Sequence, residues 1–246
     1  MLGFLALAVG GHVSANTRAA RFLRDDATAL ALAQGGVEMA IGEIMANPSN
    51  YDPVALGALP NDEEKFRDNA SLAGGLFSVF YAIVDTNVPG IVTNFGVVRD
   101  RGRINIDEGL GNNNTERLEQ VLGWLGADNA SALTVEILTN YPSGKDLAPE
   151  YANRYGPYEA LPELLAVSGV DGALFDGLEP LVTLREFERQ YTSAGEAWGR
   201  RECYGGVSEG RAVATGAAGA PAVLATRRIT FVFDRVTTNL LYWREH

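Results

Sequence analysis

From Ala15 to Met45 the chain contains no proline, and Leu23, Leu30, Val37 and Ile44 recur at every seventh residue. That interval returns a side chain to nearly the same side of an α-helix, so the segment reads as one continuous amphipathic helix with a buried lower face. Ala19, Ala27, Ala33, Ala40 and Ile41 widen the apolar stripe, and Arg18, Arg21, Arg24, Asp25 and Asp26 mark its solvent side. Gly35 and Gly36 each weaken such a helix by about 1 kcal/mol unless close packing requires them. The helix is expected to stop at "NPSNYDP", 47–53.

The apolar stretch in front of it, "MLGFLALAVGG" at 1–11, enters the helical pattern without a breaker. It is about half the roughly 20 residues a membrane-spanning helix needs. With no basic residue before it and no Ala-x-Ala site after it, it is a poor signal peptide. We read it as the tail of an apolar helix whose beginning lies upstream.

Further along, "LFSVFYAIV" (76–84) and "GIVTNFGVV" (90–98) are rich in β-branched and aromatic residues and predict an antiparallel hairpin. The pattern then turns helical. Leu118, Val121, Leu122 and Leu125 define one helix, Leu133, Val135, Ile137 and Leu138 a second, and two short ones are expected at 161–166 and 171–178. The glycine-rich stretch 197–222 reads mostly as loop, with "GRAVAT" as a possible strand, and Ile229, Phe231 and Phe233 open a closing hairpin that turns near 234–239. The order helix, strands, helices, strands implies an α+β fold: a long N-terminal helix packed on an antiparallel sheet, with an inserted all-helical domain. The corresponding divisions are an N-terminal helix at 1–46, sheet segments at 47–106 and 191–246, and a helical insertion at 107–190.

Composition narrows the function. The chain has 31 acidic and 20 basic residues, a net charge of −11, and its long-range field repels phosphate backbones. Cys203 is the single cysteine and His12 and His246 the only histidines, so clustered Cys/His metal sites cannot be written.

Three chemical motifs compete with plain structural readings. Gly206, Ser208 and Gly210 form G-x-S-x-G, followed by Asp234 and His246 in hydrolase order. No strand-then-helix pattern surrounds the serine, as a nucleophile elbow requires. Asp107, Glu108, Asn112 and Asn114 offer oxygen ligands suited to calcium, without EF-hand spacing; a loop leading into a helix cap explains the same residues. "LPELLAVSGV" (161–170) has the outline of a helix-hairpin-helix turn, a DNA-binding element. Acidic Glu159, Glu163, Asp171, Asp176 and Glu179 surround it with no basic residue beside it. Packing of Leu161, Leu164, Leu165, Val170, Leu174 and Leu178 is the favoured reading. No catalytic residues, no cofactor and no nucleic-acid partner are therefore assigned.

Four stretches in order, "ALAQGGVEMAIGEI", "GRINI", "YGPYEALPELLAVSGVDGALFDGLEPLVTL" and "LLYWREH", resemble general secretion pathway protein K, the large minor pseudopilin of type II secretion systems. The likeness runs from about Arg18 to the end, and 155–184 is its most specific part. It implies a non-enzymatic subunit with a pilin fold and a helical insertion, at the tip of the periplasmic pseudopilus. Such a subunit is held in the bacterial inner membrane by the upstream part of its helix, joins other minor pseudopilins through that helix, and helps initiate the filament that exports folded proteins. On this reading Ala19, Leu23, Leu30, Val37 and Ile41 form the assembly interface. "ILTNYPSGK" (137–145) and "AGEAWGRRECYGG" (194–206) depart from the family pattern, so no family metal site is carried over.

Overall fold

Helix α1 (Leu2–Ala46) is unbroken over its whole length in the structure, a computed structural model. The residues described are 2–56, 58–70, 75–84, 90–99, 103–106, 113–139, 158, 160–184, 192–193, 196–197, 202–215 and 221–246. Pro48 ends α1, because it supplies no backbone donor and disfavours helical geometry at Asn47. A single 3-10 turn (Pro48–Tyr51) and two one-turn helices, α2 (Pro53–Leu56) and α3 (Glu63–Phe66), carry the chain to the sheet. Asp62 caps α3 by accepting a hydrogen bond from the Lys65 amide at 3.2 Å.

Strands β1 (Asn69–Ala70), β2 (Gly75–Val84), β3 (Ile91–Phe95) and β4 (Val98–Arg99) precede the helical region, and β9 (Cys203–Thr215), β10 (Pro221–Asp234) and β11 (Asn239–Glu245) follow it. Together they make one antiparallel seven-stranded sheet with the path β1-β2-β9-β10-β11; β3 joins β2, and β4 joins β9. The β2–β3 hairpin forms as the alternation predicts, but its second strand stops at Phe95. Gly96, at φ 115°, turns the chain there, and β4 pairs with Tyr204 and Gly205 instead.

Between the two halves of the sheet lie β5 (Ile104–Asn105), α4 (Asn113–Trp124), α5 (Ala130–Thr139), a 3-10 helix at Leu161–Ala166, α6 (Gly172–Leu178) and β6 (Val182–Thr183). β5 and β6 pair in parallel, so the chain arrives at and leaves the helices side by side. Two small strands, β7 (Thr192–Ser193) and β8 (Glu196–Ala197), pair with each other. Ile104 and Ile106 of "GRINI" bury with Leu118, Val121, Ile137 and Phe175, which ties them to the helices rather than to the large sheet.

The sheet divides two cores. On one face Leu32, Ala33, Val37, Ala40 and Ile44 of α1 pack on Phe77, Val79, Ile229, Phe231 and Phe233. On the other, Ala82 and Tyr242 touch the helical cluster. Burial of each large side chain contributes about 1.5–3 kcal/mol, which fixes the second half of α1 to the sheet.

The expectation of a mostly irregular 197–222 is corrected by the structure. Thirteen residues of it form β9, which pairs with β2 and β4 on one side and with β10 on the other. Glycine looked like a loop signal here, yet the strand needs it. A Cβ on Gly210 would stand 2.0 Å from the Ala29 carbonyl oxygen and 2.4 Å from the Ala33 nitrogen, so only glycine lets α1 lie this close. Gly36 has the matching role on the helix, facing the Ser208 hydroxyl, whereas nothing approaches Gly35.

Candidate functional site

Each turn of α1 changes its surroundings in a definite direction. From Ala29 onward its inner face is covered: Ala29, Leu32, Ala33, Gly36, Val37, Ala40 and Ile44 are buried. From Val13 to Arg24 every residue is exposed, a stretch of roughly 18 Å at the helical rise. Val13, Phe22 and Leu23 are 59%, 64% and 65% exposed, values that mark large apolar side chains with nothing packed on them. Phe22 continues the 22, 26, 29, 33, 36, 40 row that faces the sheet lower down, so it projects past the point where the sheet stops covering the helix.

The five residues of the expected assembly interface separate along this gradient. Ala19 and Leu23 are exposed, Leu30 and Ile41 are half-buried, and Val37 is buried in the core under α1. Val37 therefore belongs to the intramolecular packing, while Ala19 and Leu23 remain open to another chain. The boundary is marked by an ion pair: both nitrogens of the Arg227 fork, Nε and Nη2, donate to the Asp26 carboxylate at 2.7 Å each.

The G-x-S-x-G serine is structural. Ser208 is fully buried, and its hydroxyl donates to the Ala33 carbonyl at 2.7 Å, bonding β9 to α1. Asp234 accepts from the Val236 amide (3.0 Å) and the Thr237 hydroxyl (2.7 Å), holding the β10–β11 turn. His246 lies on the opposite face of the sheet, beside Thr230 and Glu179. The three residues are not brought together, so the Ser, Asp, His order of the sequence has no triad geometry behind it.

That opposite face holds a buried polar cluster that no sequence motif marks. Glu179, 1% exposed at the end of α6, accepts from Thr230 Oγ1 at 3.1 Å and from the Tyr242 hydroxyl. Arg244 Nη1 lies 3.2 Å and His246 Nε2 3.0 Å from the same carboxylate. Arg244 also pairs with Asp176 at 2.8 Å and stacks over the Phe175 ring at 4.7 Å. Burial and the adjacent Glu179 push the Tyr242 phenol well above its ordinary pKa. Burial opposes the Arg244 charge, but Glu179 and Asp176 outweigh it and raise its pKa. The signal was present as alternation: Tyr242 and Arg244 sit on one side of β11 and His246 continues their spacing just past its end, so one carboxylate meets all three.

Around the suspected helix-hairpin-helix turn, Leu161, Leu164, Val170, Leu174 and Leu178 are buried as expected; Leu165 is corrected to exposed. Asp171 caps α6 through the Leu174 amide at 2.8 Å. Of the calcium candidates, Asp107, Glu108 and Asn112 lie outside the described residues. Asn114 sits at the start of α4, with its amide 3.5 Å from the Asn105 carbonyl. Among the described residues no three His, Cys, Asp or Glu side chains converge on a metal position. By length and composition α1 is able to cross a membrane, and among the described residues it is the single helix of which this is true. Comparison with protein-family models, curated proteins and solved structures gives no match for this chain.

Proposed function

We propose that the chain is a minor pseudopilin of the general secretion pathway K type, a non-enzymatic subunit that helps initiate a type II secretion pseudopilus at its tip. The observation that carries this reading is the two-part helix: its second half is buried on the chain's own sheet, while Val13, Phe22 and Leu23 stand uncovered among polar residues on the exposed turns before it. Exposed leucine and phenylalanine on a rigid helix are unfavourable unless another apolar surface covers them. Helices of neighbouring subunits supply such a surface above Asp26, and the bilayer receives the apolar 1–11 stretch.

On this proposal the sheet with α1 is the pilin-like body, and the block from α4 to α6 is its inserted helical domain. The parallel β5–β6 pair supports that view, because it brings the two ends of the block together so that it can be added to a sheet without disturbing the order of strands. The location that follows is the bacterial inner membrane, single-pass, with the body in the periplasm. Other minor pseudopilins are the partners, and exported proteins meet the chain through the assembled tip.

The test is Leu23→Asp together with Ala19→Asp, both on exposed positions. Unchanged thermal stability with loss of co-purification of the other minor pseudopilins and loss of protein export supports the proposal. Normal export and normal co-purification by this double variant would refute the assembly role.

A further inference from the structure

The charges on α1 are arranged with a polarity that the assembly reading leaves unused. Residues 1–24 hold three arginines and no acidic residue; the other 17 basic residues stand against all 31 acids, so the remaining chain carries −14. Arg24 is engaged by Asp25 at 2.7 Å, and Arg227 by Asp26. Arg18 and Arg21 are exposed and form no ion pair with any described residue.

From these observations we infer that Arg18 and Arg21 form a collar that binds the anionic phospholipid headgroups of the membrane surface. The inference rests on the membrane-anchored reading above and adds the lipid class. Distance along the helix supports it. With the apolar 1–11 stretch in the bilayer, as the proposed function has it, Arg18 and Arg21 follow five and eight residues past Val13, roughly 7 and 12 Å at 1.5 Å per residue, so their long side chains reach back to the headgroup layer. Arginine reaches such a layer with its stem on apolar surface and its guanidinium among phosphates. The −14 body is repelled by the same surface, so attraction at the collar and repulsion of the body together hold α1 upright and keep its Phe22–Leu23 segment clear of lipid. At 100° per residue Arg18 and Arg21 lie on a different side of α1 from Ala19 and Leu23, so a phosphate layer meets both arginines while the assembly positions stay free for a neighbouring subunit.

The experiment is flotation of the whole chain with vesicles of pure phosphatidylcholine and with vesicles containing phosphatidylglycerol. Each unpaired arginine near an anionic surface strengthens binding about fivefold, so the phosphatidylglycerol vesicles should bind roughly thirtyfold more tightly at low salt. R18Q/R21Q should abolish that preference and R18K/R21K should retain it. R24Q, whose guanidinium is already paired, should change it far less, and high salt should erase it. Equal binding to both vesicles, or a preference that survives in R18Q/R21Q, overturns the collar and leaves membrane anchoring intact. Binding to neither vesicle overturns the anchoring itself and the collar with it.

Discussion

Gly210→Ala is expected to lift α1 off its sheet. The added methyl would start 2.0 Å from the Ala29 oxygen and 2.4 Å from the Ala33 nitrogen, whereas ordinary contact begins at 3.4 Å, and both obstacles are backbone that no rotamer change can move. The helix must retreat by more than an ångström at this point. The Ser208–Ala33 hydrogen bond, 2.7 Å long, then breaks, and Leu32, Ala33 and Val37 loosen on Phe77 and Ile229. Overpacking costs about 1–3 kcal/mol, the buried hydrogen bond about 1 kcal/mol more, and the alanine returns about 0.5 kcal/mol through lower unfolded-state entropy. The net loss is about 1.5–3.5 kcal/mol, a fall in Tm of roughly 3–14 °C for a chain of this size. Gly35→Ala is the internal control: nothing lies within 4 Å of that position, so the same change on the same helix should raise stability by about 1 kcal/mol. Urea unfolding followed by circular dichroism measures both. A Gly210→Ala protein within about 0.5 kcal/mol of the parent, or a Gly35→Ala protein as damaged as Gly210→Ala, would refute the close-packed seam.

Other perturbations test the remaining contacts. Glu179→Ala leaves Arg244, Tyr242 and Thr230 facing an empty buried position and should cost about 3–5 kcal/mol, read as a lower urea midpoint and faster proteolysis between the helical block and the sheet. Tyr81, pushed up to about 12 by burial, and Tyr242, also raised, stay neutral in the fold after they ionise in the unfolded chain. Stability is therefore full below pH 10 and falls as pH rises toward 12; an alkaline titration with phenolate absorbance appearing only on unfolding checks it. Thr238 holds φ 58°, a poor conformation for a β-branched residue, so Thr238→Gly should raise stability by about 1 kcal/mol, measured as Tm.

Much of the architecture was readable because it is written in local periods. The heptad Leu23, Leu30, Val37, Ile44 predicts one helix, and the alternation in 76–84 and 229–233 predicts strands, since a side chain's neighbours within an element are set by spacing alone. The loop reading of 197–222 failed for the complementary reason. Gly206, Ser208, Gly210 and Ala212 alternate as regularly as the phenylalanines of β10, but with small residues, and smallness has meaning only once a helix lies against the strand. The resemblance to a secretion pseudopilin likewise concerns residues in order, while the geometry bears on what each residue touches.

What the sequence determined by itself is the existence of a long helix, its apolar edge, the alternation of strand and helix regions, and the acidic charge of the body. Tertiary structure alone decided where along α1 the sheet stops, so that Val37 became core while Leu23 stayed bare. It also decided that Glu179, Tyr242, Arg244 and His246 would share one buried site, and that Ser208 would bond β9 to α1. The reason is physical: periodicity constrains neighbours a few residues apart, but burial and partner choice depend on elements far apart in the chain meeting at contact distance.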